Sequence, residues 1–355
     1  MKATTKVTEL RPALSLCRAA SNPKGALAGS FVELSVAEGW LILRSTDLSL
    51  QFRTRVQAEG TEYGGVLAPL AAVARVVDAI GKGSVDIEAS DDRLSIRAGN
   101  MNVSLPTWPV SDMPPWPAGT GEATPLDPVT FRDALARIIP VLSRDETRPV
   151  LTRIQVLPGE LAATDSYRAA IVQTGSRNGL AEPAYLGGKA ARILTRMLKN
   201  VYGFVCEHKE ADHWWRCGEH ELYEMVSEGR YPSIATLIPD SWAWESTVNR
   251  AELSDVLQQL TKAIGRKHVY QPLVLQATDA LALLWDDDAG TTITHSVAIE
   301  GKKPWRIGVN PTFLDEGLRL LQSESIRICG QSALRPLLLA GGEDSYLLMP
   351  IRIND

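Results

Sequence analysis

A chain of 355 residues is too long for one ordinary core and predicts two or three domains of about 100–150 residues. Its hydrophobic share of 45% and charged share of 22% exclude disordered and collagen-like classes. Net charge is −5, from 37 basic against 42 acidic residues, so nucleic-acid contact would need a local concentration of Lys and Arg.

The first third opens with an amphipathic helix marked by Val7, Leu10, Leu14 and Cys17. Strands follow at Phe31–Val36 and Leu41–Asp47, then a second helix at Leu70–Ile80. Asp91-Asp92 fits a solvated turn. The Pro- and Gly-rich run from Pro109 to Pro128 reads as a linker. The pattern then recurs. Val129, Ala136, Ile139 and Leu142 mark a helix, Leu151–Val156 and Leu161–Asp165 a strand pair, and Lys189–Leu198 a second helix. After a break at Pro232–Ser241 it recurs again, with a helix on Leu253, Val256, Leu257, Leu260 and Ile264. Strands at Leu273–Gln276 and Leu281–Asp286 and a helix at Pro311–Leu321 complete it. Thr46-Asp47 and Thr164-Asp165 lie 118 residues apart, and Asp286 falls 121 beyond Asp165. The expectation is α+β, three repeated domains reading helix, strands, helix, strands, at 1–121, 122–236 and 237–355.

Lys189, Arg192, Arg196 and Lys199 share one face of a helix whose opposite face is Ile193, Leu194, Met197 and Val201. A solvated surface is the bland alternative. Four like charges on one face repel unless an anion faces them, and backbone phosphate suits a sequence-independent contact. Arg137 and Arg144 have the spacing to add to that field. Cys206, His208, Cys217 and His220 gather metal-ligating types without Cys-x₂-Cys or His-x₃-His spacing, so zinc is open but disfavoured and no cofactor is expected. Asp286-Asp287-Asp288 fits a hairpin turn better than a metal site. No nucleophile elbow, phosphate loop, zinc-protease motif or dinucleotide fingerprint occurs. An enzyme would have to centre on Asp165, Tyr167 and Arg168. Four scattered cysteines, no apolar run near the about 18 residues of a membrane span and no secretory pattern at Met1-Lys2-Ala3 lead to the expectation of a reduced, cytoplasmic protein without a membrane partner. The apolar segment Asp344–Ile353 is either an ordinary strand or the wall of a groove for apolar peptide anchors.

The motifs Ala163-Thr-Asp-Ser-Tyr-Arg168, Glu228-Gly-Arg-Tyr-Pro232, Val309-Asn-Pro-Thr-Phe313 and Tyr346-Leu-Leu-Met-Pro-Ile-Arg352, with Thr46-Asp47 and Arg148-Pro-Val-Leu151, give the chain a resemblance to the bacterial DNA polymerase III beta subunit, the sliding clamp family. The match runs in order across the whole chain. The resemblance implies a non-catalytic head-to-tail homodimer, a closed ring with helices inside around duplex DNA and sheets outside. It assigns the helical cations, and Lys24 on a loop, to DNA. It also implies a peptide pocket formed by Leu151, Thr164, Ser166, Tyr167, Arg168, Pro232, Leu237, Leu347, Met349, Pro350 and Arg352. The implied partners are the DNA polymerase III alpha subunit, the clamp loader and other clamp-binding-motif proteins. Ala169 stands where the family commonly has leucine and Thr236 where it often has arginine. Asn100 and Asn102 stand at edge positions that are often basic. Such drift suits a specialised paralogue, tied to inhibitor resistance or a phage, as well as a housekeeping clamp.

Overall fold

The computed structural model describes residues 1–353, apart from 91, 120–122, 176–179, 181–182, 200, 202, 210–211, 227–228, 230, 266–270, 288–289 and 302. The first repeat runs β1 (Lys2–Lys6), α1 (Val7–Ala20), β2 (Phe31–Ala37), β3 (Trp40–Thr46), β4 (Leu50–Gln57), β5 (Glu59–Glu62), β6 (Gly64–Pro69), α2 (Leu70–Ile80), β7 (Ser84–Ala89), β8 (Arg93–Ala98) and β9 (Met101–Pro106). The second runs β10 (Thr124–Leu126), α3 (Pro128–Ile138), β11 (Arg153–Leu157), β12 (Glu160–Thr164), β13 (Arg168–Gln173), β14 (Ala184–Gly187), α4 (Gly188–Met197), β15 (Phe204–Lys209), β16 (Asp212–Cys217) and β17 (His220–Met225). The third runs β18 (Trp244–Asn249), α5 (Arg250–Ile264), β19 (Leu273–Ala277), β20 (Ala280–Asp286), β21 (Thr292–Gly301), β22 (Trp305–Val309), α6 (Pro311–Leu320), β23 (Ser325–Gly330), β24 (Leu337–Gly341) and β25 (Asp344–Leu348). Apart from the extra β5, the order of elements is the same three times. The short strand that opens each repeat is not legible in the sequence. In β1 its polar alternation (Lys2, Thr4 and Lys6 outward; Ala3 and Thr5 buried) carries little hydrophobic signal.

The helix ends follow local chemistry. Asn310 caps α6 by accepting from the N–H groups of Thr312 (2.9 Å) and Phe313 (3.3 Å), with Pro311 pre-set for the first helical position. Asn249 caps α5 through the Glu252 N–H at 3.1 Å. α1 buries Val7, Leu10, Leu14 and Cys17 as the 3–4 spacing requires. Each large apolar side chain so buried contributes about 1.5–3 kcal/mol.

Two compact units emerge. One comprises Met1–Arg132 and Asn178–Glu228, the other Asp133–Arg177 and Gly229–Asp355. In the first unit, one sheet has the order β5-β1-β7-β8-β9 and another the order β10-β15-β16-β17-β4-β3-β2-β6. Strands of the second repeat therefore continue into strands of the first through an antiparallel joint, β17 on β4, with Leu222 opposite Phe52. In the second unit the ladder β11-β12-β13-β25-β24-β23-β18-β21-β20-β19-β22 contains an equivalent joint, β13 on β25, with Ala170 opposite Tyr346. Gly99, Gly218 and Gly342 turn the last hairpin of the three repeats at φ of 55°, 53° and 60°, a left-handed conformation that favours glycine. Counted from those glycines and from the two Thr-Asp pairs, the two joints have the same register.

A third such joint is left open at both ends. β9 ends its sheet, and among the described residues its only partner along the strand is β8. β21 pairs with β20 over Thr292–Ala298 but meets β18 only at Ile299–Gly301. Burial follows. Arg168–Val172 of β13 are all buried, whereas in Thr292–Ala298 of β21 only Val297 is.

Candidate functional site: an apolar groove and a basic helix

The two Thr-Asp pairs build one and the same turn. Thr46 Oγ1 donates to the Leu50 carbonyl (2.8 Å) and accepts from the Leu48 N–H (2.8 Å). Thr164 Oγ1 does the same with the Arg168 carbonyl (2.7 Å) and the Ser166 N–H (3.2 Å). The aspartates accept two backbone N–H groups each, at 3.1 and 2.8 Å for Asp47 and at 2.9 and 3.0 Å for Asp165. Leu48 and Ser166 both sit at positive φ, 82° and 79°, strained for side-chain-bearing residues and held by this mesh. Asp165 also accepts from Arg168 Nε at 3.0 Å. With its oxygens so occupied, Asp165 is a turn-former rather than a base. Tyr167 beside it is 66% exposed.

The second turn forms one end of a groove of about 670 Å³ within the second unit. It is lined by the small residues Thr164, Ser166 and Ala169, by the apolar Leu151, Pro232, Leu237, Leu334, Pro336, Leu347 and Met349, and by Arg168, Gln331 and Arg335. Leu237, Leu334 and Met349 are 51%, 63% and 44% exposed. Three large apolar side chains left in water around one concavity mark a binding surface. Eight expected residues line it: Leu151, Thr164, Ser166, Arg168, Pro232, Leu237, Leu347 and Met349. Tyr167 lies instead along a neighbouring cleft with Arg144, Arg148 and Phe313. Pro350 and Arg352 follow β25, where Ile351 N–H donates to the Gly308 carbonyl at 2.8 Å, and neither lines the groove. Leu334, Arg335 and Pro336 were not expected. They lie in the turn before β24, and only the pairing of β24 with β25 brings that turn to the groove. Part of the motif Glu228–Pro232 lies outside the described residues.

Arg168 is buried beneath this turn. Its guanidinium is ion-paired with Asp165 and Glu316, lies 4.2 Å from the Phe313 ring centre and donates to the Pro140 carbonyl at 2.6 Å. It therefore fastens the turn of the second repeat to α6 of the third.

The cations on and just after α4 separate into two kinds. Lys189 is half-buried and tied down, its Nζ lying 2.6 Å from Asp47 Oδ2 and 3.0 Å from the carbonyls of Ala20 and Ser21. It fastens the first repeat's turn to α4. Arg192, Arg196 and Lys199 are exposed. Arg192 reaches the Gly188 carbonyl (2.8 Å) and Arg196 the Ser15 hydroxyl (2.6 Å), and among the described residues none of the three is in an ion pair. Gly187, just before α4, donates its N–H to Glu224 at 2.9 Å, and a Cβ there would strike that carboxylate. Arg137 does not join the basic face. It is paired with Asp344, donates to the Leu320 carbonyl at 3.1 Å, and only 14% of its side chain is exposed. Arg144 is exposed but follows α3 rather than lying on it, and Lys24 is exposed in the loop after α1.

Among the described residues the Cys/His segment shows no ligand geometry. Cys206 faces Trp215 and Cys217 faces Phe204 across β15 and β16. Burial raises both thiols, Cys217 to about 12, against the thiolate that a metal needs. His220 Nδ1 lies 2.7 Å from Thr54 Oγ1. The His208 side chain lies outside the described residues. No group of three ligand residues converges among those described. No helix is long and apolar enough to cross a membrane among them either.

Three tandem α+β repeats with a peptide-sized apolar groove define the sliding-clamp class of fold. Residues 25–117 match the family model of the DNA polymerase III beta subunit, N-terminal domain. The beta sliding clamp of Synechococcus elongatus is 27% identical over an alignment of 376 positions that covers all of both chains. The beta sliding clamp homolog GriR of Streptomyces muensis is 25% identical over 350 positions, 90% of each chain. Among solved structures, the Bacillus subtilis sliding clamp superposes with a TM-score of 0.91 at 18% identity over the whole of both chains. A Pseudomonas aeruginosa sliding clamp bound to griselimycin superposes at 0.90 and 20% identity, over 99% of this chain and all of that one. Along its whole length the chain is similar to proteins named beta sliding clamp and has their fold.

Proposed function

We propose that two copies join head to tail into a closed ring around duplex DNA, and that the ring tethers a polymerase to its template through the groove. The observation that carries this reading is the strand joint made twice within the chain, at β4 with β17 and β13 with β25, and left open at β9 and β21. Pairing β21 of one copy with β9 of the next supplies the missing joint and covers both bare edges. The repeats then take residues 1–121, 122–236 and 237–355, with their helices toward the DNA. Arg192, Arg196 and Lys199, with Lys24 and Arg144, touch backbone phosphate without reading sequence.

The partners are duplex DNA, a second copy, the DNA polymerase III alpha subunit, the clamp loader and other proteins carrying short apolar clamp-binding motifs, all in the cytoplasm. A polymerase tethered to a ring that cannot leave sideways stays at an effective concentration that reaches about mM, so processivity needs no tight polymerase–DNA bond. Retention on nicked circular plasmid after loading, lost on linearisation, is the expected result. Equal retention on circular and linear DNA would contradict enclosure.

A second reading, a specialised copy whose groove tolerates a clamp-directed inhibitor, is favoured by Ala169 in the groove lining, where the family commonly has leucine. The likeness to the homologue GriR supports it. Griselimycin affinity that rises on Ala169→Leu is the expected outcome; unchanged affinity would contradict this reading.

A further inference from the structure

The lining of the groove carries charge of one sign. It includes two arginines, Arg168 and Arg335, and no aspartate or glutamate. Arg168 is buried, and its charge is already matched by Asp165 and Glu316. Arg148 lies next to the turn and donates to the Ser166 hydroxyl at 3.2 Å. It too has an acid close by, Asp145, whose carboxyl is held below its ordinary value by hydrogen bonds from Thr147 and by the Arg148 charge. Arg335 differs from both. It is exposed, and among the described residues its side chain has no hydrogen bond, ion pair or ring contact.

A tight turn sets the place of this cation. The Arg335 N–H donates to the Ser332 carbonyl at 3.3 Å and the Leu334 N–H to the Ser332 hydroxyl at 3.4 Å, just before β24 pairs with β25. Its chain neighbours Leu334 and Pro336 are apolar and belong to the same lining, and Leu334 is 63% exposed. An apolar anchor seated against Leu334 and Pro336 therefore brings its own chain neighbours to the guanidinium. A cationic neighbour is repelled there, and a neutral one gains little. An acidic neighbour completes the ion pair that the chain itself leaves unmade. Backbone phosphate is the other anion at hand. Phosphate held at Arg335 would leave Leu237, Leu334 and Met349 in water, whereas an anchored peptide covers them.

We propose that Arg335 makes the groove selective for peptides whose apolar anchors are flanked by an acidic side chain, Asp or Glu. This deepens the groove reading above and rests on it. Burial of the anchors supplies the affinity. Arg335 supplies the choice among partners, since a like charge set against it rejects a peptide that the apolar contacts alone would accept.

The test is calorimetric titration of the full chain with peptides that carry two apolar anchors and differ only in a flanking Asp, Asn or Lys. The peptides are acetylated and amidated, so no terminal charge takes part. The parent is expected to prefer Asp over Lys about fivefold, the upper end for one exposed charge pair. Most of that preference should vanish in about 1 M salt, where the screening length falls to about 3 Å. Arg335→Met should level the three affinities, and Arg335→Glu should invert their order. The Asn peptide should bind both variants within about twofold of the parent, because an exposed pair of this kind acts through charge. Thermal melts confirm that the variants are folded. An order that persists through both substitutions, or an equal loss of all three peptides, overturns the role given to Arg335 and leaves the groove standing. A persisting order together with a shallower salt dependence of DNA binding in Arg335→Glu would assign the cation to phosphate instead. A parent chain that binds none of the three peptides overturns the groove, and the selectivity with it.

Discussion

Replacing Arg137 by methionine separates the structural role found here from the DNA-facing role its position in the sequence suggests. In the structure its guanidinium faces Asp344, and the two side chains are only 14% and 11% exposed. Removing one partner of such a buried pair costs about 3–5 kcal/mol, because the other charge stays buried and uncompensated. Asp344 keeps one hydrogen bond, from the Gln173 N–H at 2.9 Å, so the lower figure of about 3 kcal/mol applies. For a unit of this size that corresponds to a melting transition lowered by about 6–12 °C. Differential scanning calorimetry reads the shift directly. Arg137→Met combined with Asp344→Leu should recover most of the loss, since an apolar pair has no desolvation cost. A single variant that melts within about 1 °C of the parent, well inside the shift expected for a broken buried pair, while losing DNA salt dependence, would refute the assignment.

Reversing Arg192, Arg196 and Lys199 to Glu should weaken the hold on DNA after loading. It should also flatten the salt dependence by about 0.9 for each phosphate no longer neutralised, read from binding isotherms across salt; an unchanged slope would count against the basic face. Lys189→Glu should act differently, lowering the melting point because it sets two carboxylates together at Asp47. Leu237→Glu, at a half-exposed groove wall, should reduce binding of an apolar-anchored peptide about tenfold or more with little change in melting. Fluorescence anisotropy would show it, and retained affinity would displace the groove. Burial holds the His220 imidazole below its ordinary value of 6.5, so the unfolded chain takes up that proton first. The stability is complete above about pH 6.5 and lost as pH falls through it toward the lower folded value; His220→Asn should flatten melting between pH 7 and about pH 5.

The threefold order was legible because apolar spacing in the helices and alternation in the hairpins survive divergence. The ranges expected for the second helices differ from those observed by one residue at most. The Thr-Asp pairs were visible as words, but their identity as one hydrogen-bonded turn at positive φ needed coordinates. What the sequence could not show was the partner of each charge. Lys189 and Arg137 looked like free cations because their acids, Asp47 and Asp344, lie 142 and 207 residues away. Leu334 and Pro336 belong to the groove only through strand pairing, which leaves no local trace. Pro350 and Arg352 were placed in the groove by motif alone, and chain direction after β25 carries them elsewhere.

The central claim is a ring closed by the two bare strand edges, and single-particle imaging of the purified chain tests it most directly. The expected image is a toroid of two copies with six similar lobes, a bore that admits duplex DNA, and β21 hydrogen-bonded to β9 across each seam. Particles without a bore, or seams built from other strands, would contradict it.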